Sequence, residues 1–246
     1  MRRSLLLALF APLALIGAAV PICSQERLAL ASSFERGLPK GVSPALRTEE
    51  VRTAFEALPY DPAKLAGRIT NVEAKTKWVE EGGARYLVAT SDVHGLVEIP
   101  YAKMAAVLSD EGNPRWIPNL AKATTYATVK GNPGFIRIRH LMSFRFLFFG
   151  NDYDYTINYW YQDSGDEFGA WWNMQDSHDG QFKDIFGSWY IKKVRYNGKD
   201  YIYLRNRIES HFARDFLGLQ WALDTFAAEN TQKAALMVAM EAMRRK

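Results

Sequence analysis

The 246-residue chain reads as an α+β protein, a seven-stranded curved antiparallel sheet wrapped on a long C-terminal helix. Three observations predict this. From Gly134 to Ser210 one strand-like run follows another, with a turn signal at each joint. A further strand-like run and a short helical stretch come before that block. After Ser210 the apolar period changes from two to about three and a half, the step from a strand to a helix. Consecutive strands joined by short turns must be antiparallel neighbours.

The N-terminus has the form of a secretory signal. Arg2 and Arg3 supply its charge, and Leu5 to Val20 form an apolar stretch of about 16 residues, short of the ~20 that a spanning helix needs. Gly17-Ala18-Ala19 would support cleavage, so residues 1–24 are expected to be a signal peptide, with a retained anchor as the alternative. Cys23 stands where a lipidated cysteine would, but Val20-Pro21-Ile22 departs from the small-residue pattern such processing requires. It is the only cysteine, so the chain forms no internal disulfide.

Residues 25–84 read as an N-terminal extension, broken by Gly37, Pro39, Gly41 and Pro44. Thr48-Glu49-Glu50 would cap a helix carrying Val51, Phe55 and Leu58, which Pro59 and Pro62 end. No chemistry is visible there.

Residues 85–246 form the expected domain. Its first strand runs from Arg85 to Ile99, with Leu87, Ala89, Ser91, Val93, Gly95 and Val97 on one face. Pro100 suits the first turn of a helix whose apolar side carries Met104, Val107 and Leu108. Asp110 to Pro114 stops that helix, and Trp116-Ile117-Pro118-Asn119-Leu120 begins a second short helical piece. Six strands follow, over 121–130, 134–147, 152–162, 167–176, 182–195 and 200–210. Asn197-Gly198 is the sharpest hairpin signal, because both residues tolerate the positive φ of a type I′ turn. Beyond Ser210, Phe212, Phe216, Leu219, Leu223 and Phe226 share a helical face. Glu229-Asn230-Thr231 allows a break, after which Leu236, Met240 and Met243 mark the face of a final helix.

Composition narrows the function. The apolar fraction of 48% and charged fraction of 24% are those of an ordinary globular protein. A net charge of +4 falls to +2 once Arg2 and Arg3 are removed with the signal, and a near-balanced exported chain is a poor nucleic-acid binder.

The order of elements resembles the START-like helix-grip fold of the SRPBCC superfamily. Ile99-Pro100, Val107-Leu108-Ser109-Asp110 and Trp116-Ile117-Pro118 are similar to a stretch in its polyketide cyclase/dehydrase, lipid-transport and coenzyme Q-binding branches. Gly187-Ser188-Trp189-Tyr190-Ile191 resembles a strand of some members. The resemblance covers residues 85–246 and implies a cavity between sheet and C-terminal helix that holds an apolar or amphipathic molecule. No cofactor and no metal are expected.

His140 is the first candidate residue. Alternation places it on an apolar face with Ile136, Ile138, Met142, Phe144 and Phe146, opposite Arg137, Arg139, Ser143 and Arg145. It would orient a polar group of a ligand, or act as an acid or base; the plainer alternative is a core histidine bonded to a tyrosine or a carbonyl. Tyr155 and Tyr159 lie on the inner face of the next strand, beside Tyr153, Ile157 and Tyr161. With Trp172 and Trp189 they would give apolar walls bearing a few polar tips, and cross-strand packing would look the same. Leu236 and Met240 are the expected contribution of the helix, with Met237 and Met243 as adaptable neighbours. Under this reading the partner is a hydrophobic small molecule or lipid and nothing is catalytic; the alternative is a cyclase or dehydratase using His140 and Tyr155.

Asp152 and Asp154 fall on the arginine face, which favours cross-strand pairing over a metal site. Ser177-His178-Asp179 is too tightly turned to form a triad. The outward Arg205 and Arg207 leave a peripheral contact with anionic lipid open, a solvated sheet face being the equal alternative.

Overall fold

The computed structural model describes residues 55–110, 116–146, 149–214 and 218–245. The expected signal segment, its cysteine and most of the expected first helix lie outside them.

Among the described residues eight strands form one antiparallel sheet: β1 Arg68–Glu81, β2 Ala84–Val97, β3 Leu120–Val129, β4 Gly134–Phe146, β5 Phe149–Asp163, β6 Glu167–Ser177, β7 Phe182–Tyr196 and β8 Lys199–Phe212. A short helix, α1 (Pro62–Leu65), precedes β1; α2 (Tyr101–Leu108) lies between β2 and β3; α3 (Leu219–Arg244) ends the chain. The spatial order is β1-β2-β8-β7-β6-β5-β4-β3, so the β3–β8 meander returns to dock β8 on β2. The expected α+β class and closing helix hold. The count of seven strands is corrected to eight.

The missed strand is β1. Eight of its fourteen residues are exposed and only Ile69 is buried, as suits an edge strand open to solvent on one side, so it carries no clear apolar alternation to detect. It pairs with β2 along its whole length, through a turn in which Gly82 and Gly83 take φ of 60° and 77°. The expected boundary at residues 84 and 85 therefore falls inside a hairpin. The Asn197-Gly198 turn appears as expected, with φ of 49° and 76°.

Two helical expectations are also corrected. Trp116 to Asn119 forms turns, not a helix, with Asn119 at φ 62° leading into β3. The helix after Ser210 begins only at Leu219, because Phe212 still belongs to β8, and it runs unbroken through Glu229-Asn230-Thr231. The Thr231 hydroxyl donates to the Ala227 carbonyl at 2.9 Å, which absorbs it into the helix instead of recapping the chain.

Each sheet face has its own core. The inner face, α2 and α3 enclose the larger one, which includes Leu87, Ile138, Tyr159, Phe168 and Trp189. The outer face carries a smaller one in which Phe55 and Leu65 cover Leu96, Trp171, Phe186, Tyr190 and Tyr203. The segment from residue 55 onward is thus a strap across the back of the sheet.

α3 meets β1 and β2 through small side chains: Ala235, Val238, Ala239 and Ala242 are buried, which lets the helix axis approach the sheet. β1 anchors it. Trp78 Nε1 donates to Gln220 at 2.9 Å, Thr76 Oγ1 to Asp224 at 2.6 Å, and Gln232 Nε2 to the Ile69 carbonyl at 2.6 Å. At the far end Arg245 reaches the Ala106 carbonyl and Asp110.

Candidate functional site

Between the inner sheet face and the first half of α3 lies a cavity of about 250 Å3. This is just below the ~300 Å3 at which ligand pockets commonly begin, and far from an interior filled by side chains. The turn at Trp116, Ile117, Pro118 and Asn119 forms one side, and Leu219, Ala222, Leu223 and Ala227 of α3 form the roof.

Strand register explains which side chains face it. His140 pairs with Tyr155, Tyr159 with Trp172, Trp172 with Gly187, and Trp189 with Asn206, so all of these share the inner face. Gly187 has a local reason: a Cβ there would collide with the Trp172 indole, so the glycine leaves room for that ring to lie across β7. Trp189 in turn meets Trp116 edge to face, with ring centres 5.9 Å apart.

Of the expected site residues, the fold brings His140, Tyr155, Trp172 and Trp189 to the cavity wall. Tyr159 shares their face but is fully buried beneath it, its hydroxyl donating to the Leu108 carbonyl at 2.7 Å at the end of α2. Leu236 and Met240 are not cavity residues. They stand on the solvent side of α3, 45% and 63% exposed, because the alanine row takes the inward face. Met243 is exposed with them, whereas Met237 packs on the core.

His140 meets Tyr155 edge to face, 5.8 Å between ring centres. Burial pushes its imidazole down to about 4, because a charged ring would lose its water. At neutral pH the ring is therefore uncharged.

Strand parity puts Ser91 on the inner face without assigning it a role, Trp116 stands out in the sequence only as part of a motif, and Asn206 belongs to no motif at all. All three line the cavity and are at least nine-tenths buried. The signal for Asn206 is its position between Leu204 and Ile208 on a strand whose inner face is otherwise apolar apart from Ser210.

The arginine-and-aspartate face also behaves as its parity suggests. Arg139 makes a two-pronged pair with Asp154, Ser143 donates to Asp152 at 2.7 Å, and Arg137 donates to Asn158 at 2.8 Å. Among the described residues no group of three His, Cys, Asp or Glu side chains is placed to hold a metal ion. His178 contacts Thr156 and Asp176, while Ser177 bonds Asp179, so these two residues form no Ser-His relay. Arg205 is not free for lipid: it is 5% exposed and buried against Asp92. No described helix is long and apolar enough to cross a membrane.

A hairpin, a meander returning to it and a closing C-terminal helix over an inner cavity make up a recognisable whole. A large antiparallel sheet closed by a C-terminal helix fits a helix-grip arrangement. Among solved structures the chain is similar to a STAR-related lipid transfer protein from Xanthomonas axonopodis, at 11% identity and a TM-score of 0.49, covering 68% of this chain and 98% of that one. It is similar to the Zhui aromatase/cyclase from Streptomyces sp. R1128 at 15% identity and a TM-score of 0.47, covering 64% and 95%. Human STARD10 matches at 11% identity and a TM-score of 0.46, covering 70% and 73%. No family model and no curated protein matches the chain. These are similarities of fold.

Proposed function

We propose that this chain is an exported protein that binds or carries a hydrophobic small molecule or lipid in the cavity between its sheet and α3. The observation that carries the reading is the cavity itself: about 250 Å3 of space walled by Tyr155, Trp172, Trp189 and Phe182 in a core that is otherwise packed. An empty apolar space forfeits contacts on every wall, and a ligand restores them at about 0.8 kcal/mol for each methylene taken from water. Export is carried by Arg2, Arg3 and the Leu5–Val20 stretch.

Native mass spectrometry of protein purified from its host tests both parts. The expected result is a chain shortened by its leader, with a co-purifying apolar molecule. A ligand-free protein that takes up no added lipid would overturn the binding reading, and a full-length cytoplasmic chain the export.

A second reading, an acid–base enzyme of the cyclase or dehydratase type, draws on one observation, the contact of His140 with Tyr155 on the cavity wall. An imidazole pushed down to about 4 is a weak base at neutral pH, whereas general-base work is best served by a value near the working pH. That favours binding over turnover.

A further inference from the structure

The wall of the cavity is mostly apolar, but at one end it is unfinished. Ser91 Oγ, Trp116 Nε1 and Asn206 Oδ1 are buried and make no hydrogen bond within the described protein. The three belong together. Ser91 on β2 pairs with Ile208, two residues along β8 from Asn206; Asn206 pairs with Trp189 on β7; and Trp189 carries the Trp116 ring on its edge. The amide of Asn206 is fixed, because its Nδ2 donates to the Ser188 carbonyl at 3.0 Å, which leaves Oδ1 as the atom without a partner. Trp171 Nε1 and Asn173 Oδ1 are also unsatisfied, but neither residue lines the cavity.

A buried polar atom without a partner costs about 1–3 kcal/mol, so three around one space call for a common explanation. Their chemistry specifies the complement. Trp116 Nε1 only donates, Asn206 Oδ1 only accepts, and a serine hydroxyl does either. A single hydroxyl can accept from the indole while donating to the amide oxygen. No Asp, Glu, Lys or Arg is among the described residues lining the cavity, so an ionised head would enter without a counter-charge.

We infer that the ligand is a neutral amphipath: an apolar body with one uncharged oxygen function, such as a hydroxyl, seated among Ser91, Trp116 and Asn206 at the β2–β8–β7 end. The inference rests on the ligand-binding reading above and narrows it. The neutral ring of His140 on the β4–β5 side is consistent with an uncharged occupant.

The experiment compares three probes of equal chain length, 1-decanol, decanoate and decane, at pH 8, by equilibrium dialysis and by quenching of the cavity tryptophans. Decanol should bind more tightly than decanoate by about tenfold or more, and more tightly than decane. Ser91→Ala and Trp116→Phe should each lower the decanol-to-decane affinity ratio about three- to tenfold, the loss of one hydrogen bond. Because a ratio is read, a slight change in the shape of the wall affects both probes and cancels. Thermal unfolding identifies any variant that fails to fold, and the other then decides. Decanoate binding as tightly as decanol, or a ratio unchanged in both variants, overturns the neutral-amphipath inference while leaving an apolar ligand in place. Failure of all three probes to bind overturns the cavity reading together with it.

Discussion

The two faces of β2 and β8 differ in how they treat burial, and the difference runs residue by residue. Asp92 and Arg205 point outward, while their sequence neighbours Ser91 and Asn206 point inward. Outside, the charges are tied. Arg205 clasps Asp92, with Nε to Oδ1 at 3.0 Å and Nη2 to Oδ2 at 2.6 Å, and its Nη1 donates to the Glu56 carbonyl of the strap at 3.0 Å. Tyr203 accepts from the Leu58 amide at 3.0 Å and stacks on Tyr60, and burial pushes its hydroxyl up to about 12. Inside, the described cavity wall carries no charge and leaves hydrogen-bonding atoms open. On these two strands the outer face ties its charged groups to the protein's own chain, whereas the inner face leaves Ser91 Oγ and Asn206 Oδ1 without a partner among the described residues.

The outer clamp gives the largest test of this contrast. Arg205→Met leaves Asp92 buried without a counter-charge and should cost about 3–5 kcal/mol in chemical denaturation. The double variant Asp92→Leu with Arg205→Met should recover much of that loss, since the unpaired charge is gone. Equal destabilisation by single and double variants would show that the pair is not the unit holding the strap.

A somewhat smaller effect belongs to His140. The free imidazole titrates near 6.5 and the buried one near 4, so acid protonates the unfolded chain first. Stability is full above pH 6.5, falls as the pH drops toward 4, and loses no more below that from this group, a total on the order of 3 kcal/mol. His94, also held down by burial, acts in the same direction on the outer face. His140→Leu should flatten the acid limb of the stability curve and leave the part due to His94. An unchanged limb would mean that the inner face tolerates charge after all.

The smallest expected effect is at Leu236 and Met240. Changing both to lysine should move stability by no more than about 0.5 kcal/mol per site and leave ligand affinity unaltered, because both side chains are in solvent. A marked loss of affinity would place them on the ligand's path and extend the inner face around the helix.

The meander and much of the cavity wall are legible from residue order. β4 and β5 alternate cleanly, so parity alone assigns His140 and Tyr155 to the inner face. β1 is not legible by alternation, since an edge strand exposed on one side can be almost wholly polar; its Gly82-Gly83 turn is the one available mark. The large residues of α3 point the wrong way for a physical reason. Size and hydrophobicity suggest that Leu236 and Met240 face the core, but close approach to β1 and β2 needs small side chains, and Ala235, Ala239 and Ala242 provide them.

The sequence by itself determined the strand run, its turns, the inner and outer parity of the central strands and the closing helix, because these follow from local periodicity and backbone preference. Only the tertiary structure decided that β1 joins the sheet and seats the helix, that Arg205 is locked to Asp92 under the strap, and that Ser91, Trp116 and Asn206 line one cavity. Each of these brings together residues far apart along the chain, and periodicity records which way a side chain faces, not what it meets there.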